Sequence, residues 1–414
     1  MFLKKTANIW MPIVILIVLV GATFLNLELS ERYGFEEGFI TRYAAAKNWM
    51  KTGVSPYSEE SHALALELAG DENALAGNLD QGRFLDPVPY VLFYIPLSFL
   101  PYSIAKAIWM TIIEVAIVLS AWLAMKIVAL KLSIPETILI SIGLLFFYPN
   151  LKMILSASVL PLYFFFIIWA IWLAMNKQGR MAGVLFFLAF AMVPISLFIA
   201  IFFMIWLGAR RDNSLTTIFF VGIGFLILIG LILFPNWLAQ WFTAYVLVYP
   251  KFTWLDSPIM RISELFPGAI RQLAIGLNIA TVVYLFVEWY GLPSREQRGL
   301  QWKLSLTMVL LYFLNPLKAV SYQILLFIPL FAIYKYLNEK WRVGGRIVTW
   351  LSFLSIGIIY WIKGTAQETF VSGGADLIIL LLPMISFLGL QYFRWWALKS
   401  SSALIESTNG GYYG

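Results

Sequence analysis

The side chains best suited to chemistry lie close together in the sequence, in an acidic stretch near the N-terminus. Residues 28–86 hold 11 of the 22 carboxylates but only five of the 29 lysines and arginines. Carboxylates remove protons from hydroxyl groups, and cations hold anions such as phosphates. The chain has no cysteine and one histidine, His62, which excludes disulfides, thiolate nucleophiles and metal sites built from cysteine or histidine. The sequence therefore predicts chemistry based on carboxylates, hydroxyls, amides and cations, with no cofactor; a bound metal stays open, although nothing in the sequence requires one.

Three acids in this stretch are candidates for a general base. Glu36 and Glu37 come just before a predicted helix, and Asp86 comes just before a proline-rich segment. We prefer Glu37 and keep Glu36 as its rival, because adjacent residues point in different directions and only one of the two can face a cavity. The alternative for the glutamates is that they are solvated, and for Asp86 that it caps the turn at Pro87.

Cations at the outer ends of predicted apolar helices are candidates for holding an anionic group. Arginine suits bidentate binding of a phosphate, whereas lysine makes a point contact. We favour Lys318, because Asn315 and Gln323 place further polar groups at the start of the same apolar helix. The other candidates are Arg42, Arg261 and Arg271. The alternative for each is that the side chain reaches to lipid headgroups.

The composition indicates that membrane-spanning helices position these residues. Of the 414 residues, 61% are hydrophobic and 12% are charged, against about 25% charged in an ordinary soluble domain. The mean hydropathy is +0.82, and apolar runs of about 20 residues recur, each long enough to cross a bilayer as a helix. The sequence predicts an all-α polytopic membrane protein with about 12 spans (11 to 13): 8–27, 102–130, 133–149, 151–176, 181–192, 194–209, 214–234, 267–290, 301–314, 318–337, 347–362 and 374–394.

The distribution of charge predicts the orientation in a cell membrane. Seventeen of the 29 cations fall in short connections on the side of the N-terminus, and short loops rich in lysine and arginine stay in the cytoplasm. Both termini are therefore predicted to be cytoplasmic, and the acidic loop 28–86 is predicted to be extracytoplasmic. Residues 1–399 are predicted to form one membrane-embedded domain, and residues 400–414 a disordered cytoplasmic tail.

The acidic loop and the segments near it have recognisable local patterns. The run GFITRYAAAKNWMKTG predicts a helix lying at the membrane interface and ended by Gly53. Ser58 followed by two glutamates predicts the start of a second short helix. Residues 87–101 contain four prolines and are predicted to dip into the bilayer without forming a normal helix. The stretch 235–266 is rich in tryptophan and tyrosine and is predicted to be an outer loop.

Two stretches carry the landmarks of a known family. The first runs from Gly38 to Tyr57, with Tyr-Ala-Ala, Gly and Pro-Tyr landmarks, and the second is PYVLFYIPLSFLPYSIAKAIWMTIIE, beginning at Pro89. They resemble glycosyltransferase family 87, the polyprenol-phosphate-mannose-dependent membrane mannosyltransferases of the C-type glycosyltransferase superfamily. The resemblance covers roughly the first 130 residues and continues in the loose patterns around Pro194, in the loop before residue 267 and in NPLKAVSYQILLFIPL.

This resemblance implies a C-type glycosyltransferase-like fold. It implies transfer of a sugar, mannose in the family, from a polyprenyl-phosphate donor to an extracytoplasmic lipid or glycan acceptor, with a first-loop carboxylate as general base. The expected partners are that donor, the acceptor and membrane lipids, and no nucleic acid. The substrate-binding candidates within the resembling stretches are Tyr43, Tyr57, Tyr90, Tyr322 and Gln323.

Two other functions stay open beside the glycosyltransferase. Family members usually carry an Asp-Phe pair where this chain has Gly38 and Phe39, which favours a non-catalytic or altered relative. A small-molecule transporter would carry polar or charged residues in the middle of several spans and a repeat between its halves. Glu114 is the main charged residue inside a predicted span, and structural pairing is its expected role.

Overall fold

The computed structural model of the chain describes residues 2–32, 38–70, 82–190, 195–208, 211–248, 270–290, 297–314, 320–367, 378–394 and 397. Within these ranges the regular structure is helical, without strands, which confirms the predicted all-helical class. Four helices are long and apolar enough to cross a membrane, or five if one bent pair is a single span, and seven shorter helices are also apolar. The protein is therefore a helical membrane protein, while the number of 12 spans stays a prediction.

The chain divides into two compact units. The prediction that residues 1–399 form one membrane-embedded domain stays a prediction. The first unit comprises Met1–Val118, Asn150–Tyr163 and Val221–Lys251, and the second comprises the remainder. In chain order the described helices are α1 (Phe2–Arg32), α2 (Phe39–Thr52), α3 (Glu59–Ala69), α4 (Val91–Ser98), α5 (Tyr102–Val128), α6 (Ile134–Leu145), α7 (Tyr148–Leu155), α8 (Leu160–Met175), α9 (Gly179–Phe190), α10 (Ile195–Gly208), α11 (Ser214–Leu233), α12 (Trp237–Val248), α13 (Ile270–Tyr290), α14 (Gln297–Leu314), α15 (Phe327–Gln367) and α16 (Ile378–Tyr392).

The proline-rich segment 87–101 is helical over residues 88–98, which corrects the prediction that it does not form a normal helix, while its predicted dip into the bilayer stays a prediction. A 3₁₀ turn over Val88–Tyr90 leads directly into α4, which contains Pro96. Pro89 lies in the first turn of this stretch, where proline is tolerated because the N–H groups have no partner within the helix. The whole helical stretch is too short to cross a bilayer.

Three other elements differ from their predicted bounds. The predicted spans 133–149 and 151–176 are divided into α6, α7 and α8, and α6 and α7 meet at a bend of 61°. The predicted outer loop 235–266 begins with the helix α12. Helix α1 runs past the predicted end at residue 27 to Arg32, since the residues after Leu27 are compatible with a helix.

Helix α15 is two helices joined at a kink. Arg342 has φ 46° and ψ −117°, which is not helical. Thr349 donates to the Asn338 side chain at 3.3 Å, and Ser352 donates to the Tyr334 hydroxyl at 3.4 Å. The residues before the kink therefore pack antiparallel to those after it. The chain turns back at Arg342, as the sequence predicts by placing a connection between spans 318–337 and 347–362.

The predicted orientation has a direct test, because the chain has no cysteine. Glu60 in α3 and Val343 at the α15 kink are both exposed, so a cysteine at either position is open to a reagent. In intact cells we expect a membrane-impermeant thiol reagent to label Glu60→Cys, and to label Val343→Cys only after permeabilisation. The reverse pattern would contradict the predicted topology.

Candidate functional site

Helix α2 is largely buried within the first unit. The side chains of residues 39–46 are all buried, and α2 packs against both α3 and α4. The sequence predicts a helix lying at the membrane interface, which stays a prediction; the structure adds that its first two turns are covered by other parts of the protein. The three alanines at 44–46 allow close packing, and the charge of Arg42 is compensated inside the protein by a carboxylate, which is the condition under which an arginine is buried.

The two ends of α2 are set by glycines with positive φ. Gly53 has φ 73° and its N–H donates to the carbonyl of Trp49 at 2.8 Å, which confirms the predicted helix end. Gly38 has φ 42°, and a Cβ atom there would lie 3.3 Å from both Arg42 Nη1 and Val159 Cγ2. An aspartate at this position, as the family carries, would be strained and crowded here.

Arg42 and Asp86 form a buried ion pair. Arg42 Nη2 lies 2.7 Å from Asp86 Oδ1, and Arg42 Nε donates to Asp86 Oδ2 at 3.3 Å. The two side chains are 2% and 0% exposed, and the paired contacts are the bidentate arrangement that arginine makes with carboxylates. Arg42 Nη1 also donates to the Gly38 carbonyl at 2.8 Å and to Thr41 Oγ1 at 3.1 Å, which fixes the guanidinium against the start of α2.

Tyrosines surround the Asp86 carboxylate. Tyr163 Oη donates to Asp86 Oδ2 at 3.3 Å, and Tyr94 Oη lies 3.3 Å from Tyr163 Oη. The ring of Tyr90 lies 6.3 Å from that of Tyr163, measured between centroids, and all three rings are buried. The carboxylate is therefore held by a guanidinium and a phenol within an aromatic environment.

The backbone that carries Asp86 is also fixed by side chains. Tyr57 Oη donates to the Asp86 carbonyl at 2.6 Å, and Trp241 Nε1 donates to the Leu85 carbonyl at 2.8 Å. Tyr57 and Ala244 pack against Leu85. Two aromatic side chains, from the loop after α2 and from α12, thus hold the carboxylate in position.

A second ion pair in the same unit is exposed and serves as a comparison. Arg83 Nη1 lies 2.7 Å from Glu59 Oε1, and the side chains are 25% and 75% exposed. The hydrogen bond from Arg83 lowers the pKa of Glu59. Exposed pairs of this kind contribute about 0.2–1 kcal/mol to stability. In the buried pair, by contrast, removal of either Arg42 or Asp86 leaves the other charge buried without a partner, which is strongly destabilising.

The predicted site residues that the structure describes fall into three groups. Four of them are brought together in the first unit: Arg42, Tyr57, Asp86 and Tyr90. Tyr43 lies on α2 but forms its hydrogen bonds with the Leu100 carbonyl at 2.7 Å and with Lys47 Nζ at 2.8 Å. In the second unit, Tyr322 packs against Phe164 with centroids 5.0 Å apart, and Gln323 Nε2 donates to Tyr360 Oη at 2.7 Å.

The remaining predicted residues lie outside the part of the chain that the structure describes. Those residues are Glu36, Glu37, Arg261 and Lys318; Arg271 is in α13, but its side chain is also outside the description. The predicted base Glu37 and the predicted phosphate ligand Lys318 therefore stay predictions. The carboxylate whose surroundings are known is Asp86.

Sequence reasoning missed three aromatic residues that contact this site: Tyr94, Tyr163 and Trp241. Tyr163 is 77 residues from Asp86 in the chain and stands in an apolar run, LPLYFFFIIW, where a tyrosine is indistinguishable from a lipid-facing residue. Trp241 belongs to the stretch 235–266, which its tryptophans and tyrosines predict only to be an outer loop. Only the packing of distant helices shows that the two side chains meet the Asp86 segment.

Comparison with protein-family models and with curated proteins finds no match to this chain.

The close packing around Gly38 can be tested by substitution. We expect Gly38→Ala to lower the unfolding temperature more than Gly53→Ala. Both residues have positive φ, which costs about 1–2 kcal/mol for an L side chain, but a Cβ at Gly53 meets nothing within 4 Å, whereas one at Gly38 crowds Arg42. Equal losses in a thermal unfolding assay would contradict the packing described around Gly38.

Proposed function

We propose that this chain is a membrane glycosyltransferase that moves a sugar, mannose by its family resemblance, from a polyprenyl-phosphate carrier to an extracytoplasmic lipid or glycan acceptor. The observation that carries the proposal is the buried pair of Arg42 and Asp86. It brings together the two groups that such a transfer needs, a carboxylate to accept the acceptor's proton and a cation to bind the donor's phosphate. The resemblance adds support, because one resembling stretch includes Arg42 and the other begins three residues after Asp86.

The proposed step needs no further catalytic group. Asp86 takes the proton of the acceptor hydroxyl while the acceptor oxygen bonds to the anomeric carbon of the sugar. The bond from that carbon to the phosphate oxygen breaks, and its electron pair leaves with the polyprenyl phosphate. Because the leaving group departs as an anion, it needs the positive charge of Arg42 and not a proton donor.

In this proposal the donor phosphate releases the base. Arg42 and Asp86 are bonded to each other and buried, so neither is available to a substrate until they separate. A phosphate offers the guanidinium the same bidentate geometry as the carboxylate, and therefore competes with Asp86 for Arg42. Asp86 then becomes free to accept a proton only when the donor is bound.

The test is a transfer assay in membranes that contain the protein. Radiolabel from polyprenyl-phosphate mannose should appear in a lipid or glycan product, and matched membranes without the protein should give none. Parallel assays with other polyprenyl-phosphate sugars identify the sugar. Absence of transfer from every such donor would contradict the proposal and favour the non-catalytic relative.

A further inference from the structure

An open cavity of about 320 Å³ lies in the second unit. It is lined by α6 with the residues that follow it, by both arms of α15 (327–341 and 343–367) and by α16. Leu144, Phe327 and Leu330 are buried and form its floor. The cavity therefore leads from the outer surface of the unit into its core, and it shares no residue with the Arg42 and Asp86 site. Its rim consists of large apolar side chains that are 56–61% exposed: Phe146, Leu354, Ile358 and Ile362.

Hydrogen bonds hold one wall of the cavity in place. Trp361 Nε1 donates to the Phe146 carbonyl at 2.7 Å, and Tyr148 Oη donates to the Gly364 carbonyl at 3.0 Å. These bonds fix the end of α6 and the start of α7 to the second arm of α15. A Cβ atom at Gly357, which also lines the cavity, would meet nothing within 4 Å. The space is therefore kept open by bonded helix ends and by a glycine.

The lining is suited to a hydrocarbon and not to water or a polar ligand. Among the described lining residues, Tyr334 and Trp361 have polar side-chain atoms and the others are apolar. Each of the two already forms a hydrogen bond, Tyr334 with Ser352 and Trp361 with the Phe146 carbonyl. An engineered apolar cavity of about 150 Å³ stays dry and binds benzene. The cavity in this protein has room for about twice as many carbon atoms as benzene has.

The surroundings of the rim indicate where such a hydrocarbon comes from. The α6 and α7 pair and both arms of α15 belong to segments that are apolar enough to cross a membrane, so the exposed rim faces the acyl chains of the bilayer. These chains surround the protein at the concentration of a solvent, and binding follows concentration. None of the described lining residues is charged, so the cavity offers no group that selects a rarer lipid by its phosphate.

We infer that this cavity binds one acyl chain of a membrane phospholipid. The chain passes the rim and ends against Leu144, Phe327 and Leu330, where it supplies van der Waals contacts that an empty cavity lacks. The headgroup stays outside, because a charged group has no partner among the lining side chains. The bound chain thus packs against α6 and both arms of α15 at once. The inference does not depend on the proposed transfer activity.

Photo-crosslinking with a phospholipid tests this inference. The purified protein is reconstituted in phosphatidylcholine vesicles in which some lipid molecules carry a diazirine at the end of one acyl chain. Irradiation should label the floor residues Phe327 and Leu330, because they are buried and a chain reaches them through the cavity. Phe225 on α11 is 59% exposed and serves as the reference for labelling from the surrounding bilayer. Label on Phe225 without label on the floor would overturn the inference, and is expected if a second copy of the chain covers the cavity.

A cavity-filling variant shows whether the floor label depends on this space. Gly357→Leu should lower the ratio of floor label to Phe225 label several-fold, because the new side chain occupies part of the cavity. Gly224→Leu is the matched control, since a Cβ at this helix glycine also meets nothing within 4 Å but the residue is not part of the lining. Equal ratios in the wild type and Gly357→Leu would overturn the inference.

Competition distinguishes an acyl chain from an isoprenoid chain. We expect unlabelled polyprenyl phosphate, added to the vesicles at a small mole fraction, to leave the floor label of the wild type unchanged. Loss of that label, with Phe225 still labelled, would assign the cavity to the isoprenoid chain and would overturn the assignment to a phospholipid.

Discussion

Asp86→Asn is expected to lower the free energy of unfolding by about 3–5 kcal/mol, the usual cost of removing one partner from a buried ion pair. The substitution keeps the shape of the side chain but leaves the Arg42 guanidinium buried without its carboxylate, since both side chains are at most 2% exposed. The measurement is the unfolding temperature of the purified protein in detergent, followed by tryptophan fluorescence.

The control for this prediction is the exposed pair of Arg83 and Glu59. Glu59→Gln removes the same charge from a pair of the same length, 2.7 Å, but in contact with solvent, and should cost less than about 1 kcal/mol. Similar losses for the two variants would contradict the difference in burial on which the site is built.

The double variant Arg42→Met, Asp86→Leu is expected to fold and to be inactive. Replacing both partners of a buried ion pair by apolar residues leaves no buried charge unpaired, so its unfolding temperature should lie above that of Asp86→Asn. Its transfer rate should fall by at least about 10²–10⁴, the usual contribution of a general base. The double variant thus separates a catalytic pair from a structural one, which Asp86→Asn alone does not.

Local signals in the sequence predicted the ends of the elements that carry the site. Gly53 ends α2, and Ser58 caps α3 by accepting a hydrogen bond from the Ser61 N–H, because both effects depend on a few neighbouring residues. Arg42 and Asp86 were each predicted as site residues for separate reasons. Their pairing across 44 positions was not predicted, since it depends on how α2 meets the segment before α4.

The burial of α2 is a second feature that the sequence of one helix alone does not predict. The lysines and the arginine of this helix indicate a surface, and that interpretation holds for Lys51, which is exposed. It fails for Arg42, because a partner supplied by another segment removes the cost of burying its charge. Periodicity describes one element at a time, whereas an ion pair between elements is a property of the packed chain.

For Glu114 the sequence predicts that a neighbour is needed but not which part of the chain supplies it. Its position within an apolar run predicts that it must face a partner inside the protein, and the expected role is structural pairing. One turn before Glu114, Thr111 accepts a hydrogen bond from Asn26 at 3.1 Å, so α1 is the helix that meets this face of α5. The sequence could not identify this neighbouring helix, because only the packing of the chain shows which helices meet.

The most direct test of the proposed function compares transfer from radiolabelled polyprenyl-phosphate mannose by wild-type protein and by the Arg42→Met, Asp86→Leu variant, at equal amounts of folded protein. We predict transfer by the wild type and a loss of at least about 10²-fold in the variant. Transfer at the wild-type rate by the folded double variant would contradict the assignment of Arg42 and Asp86 as the catalytic pair.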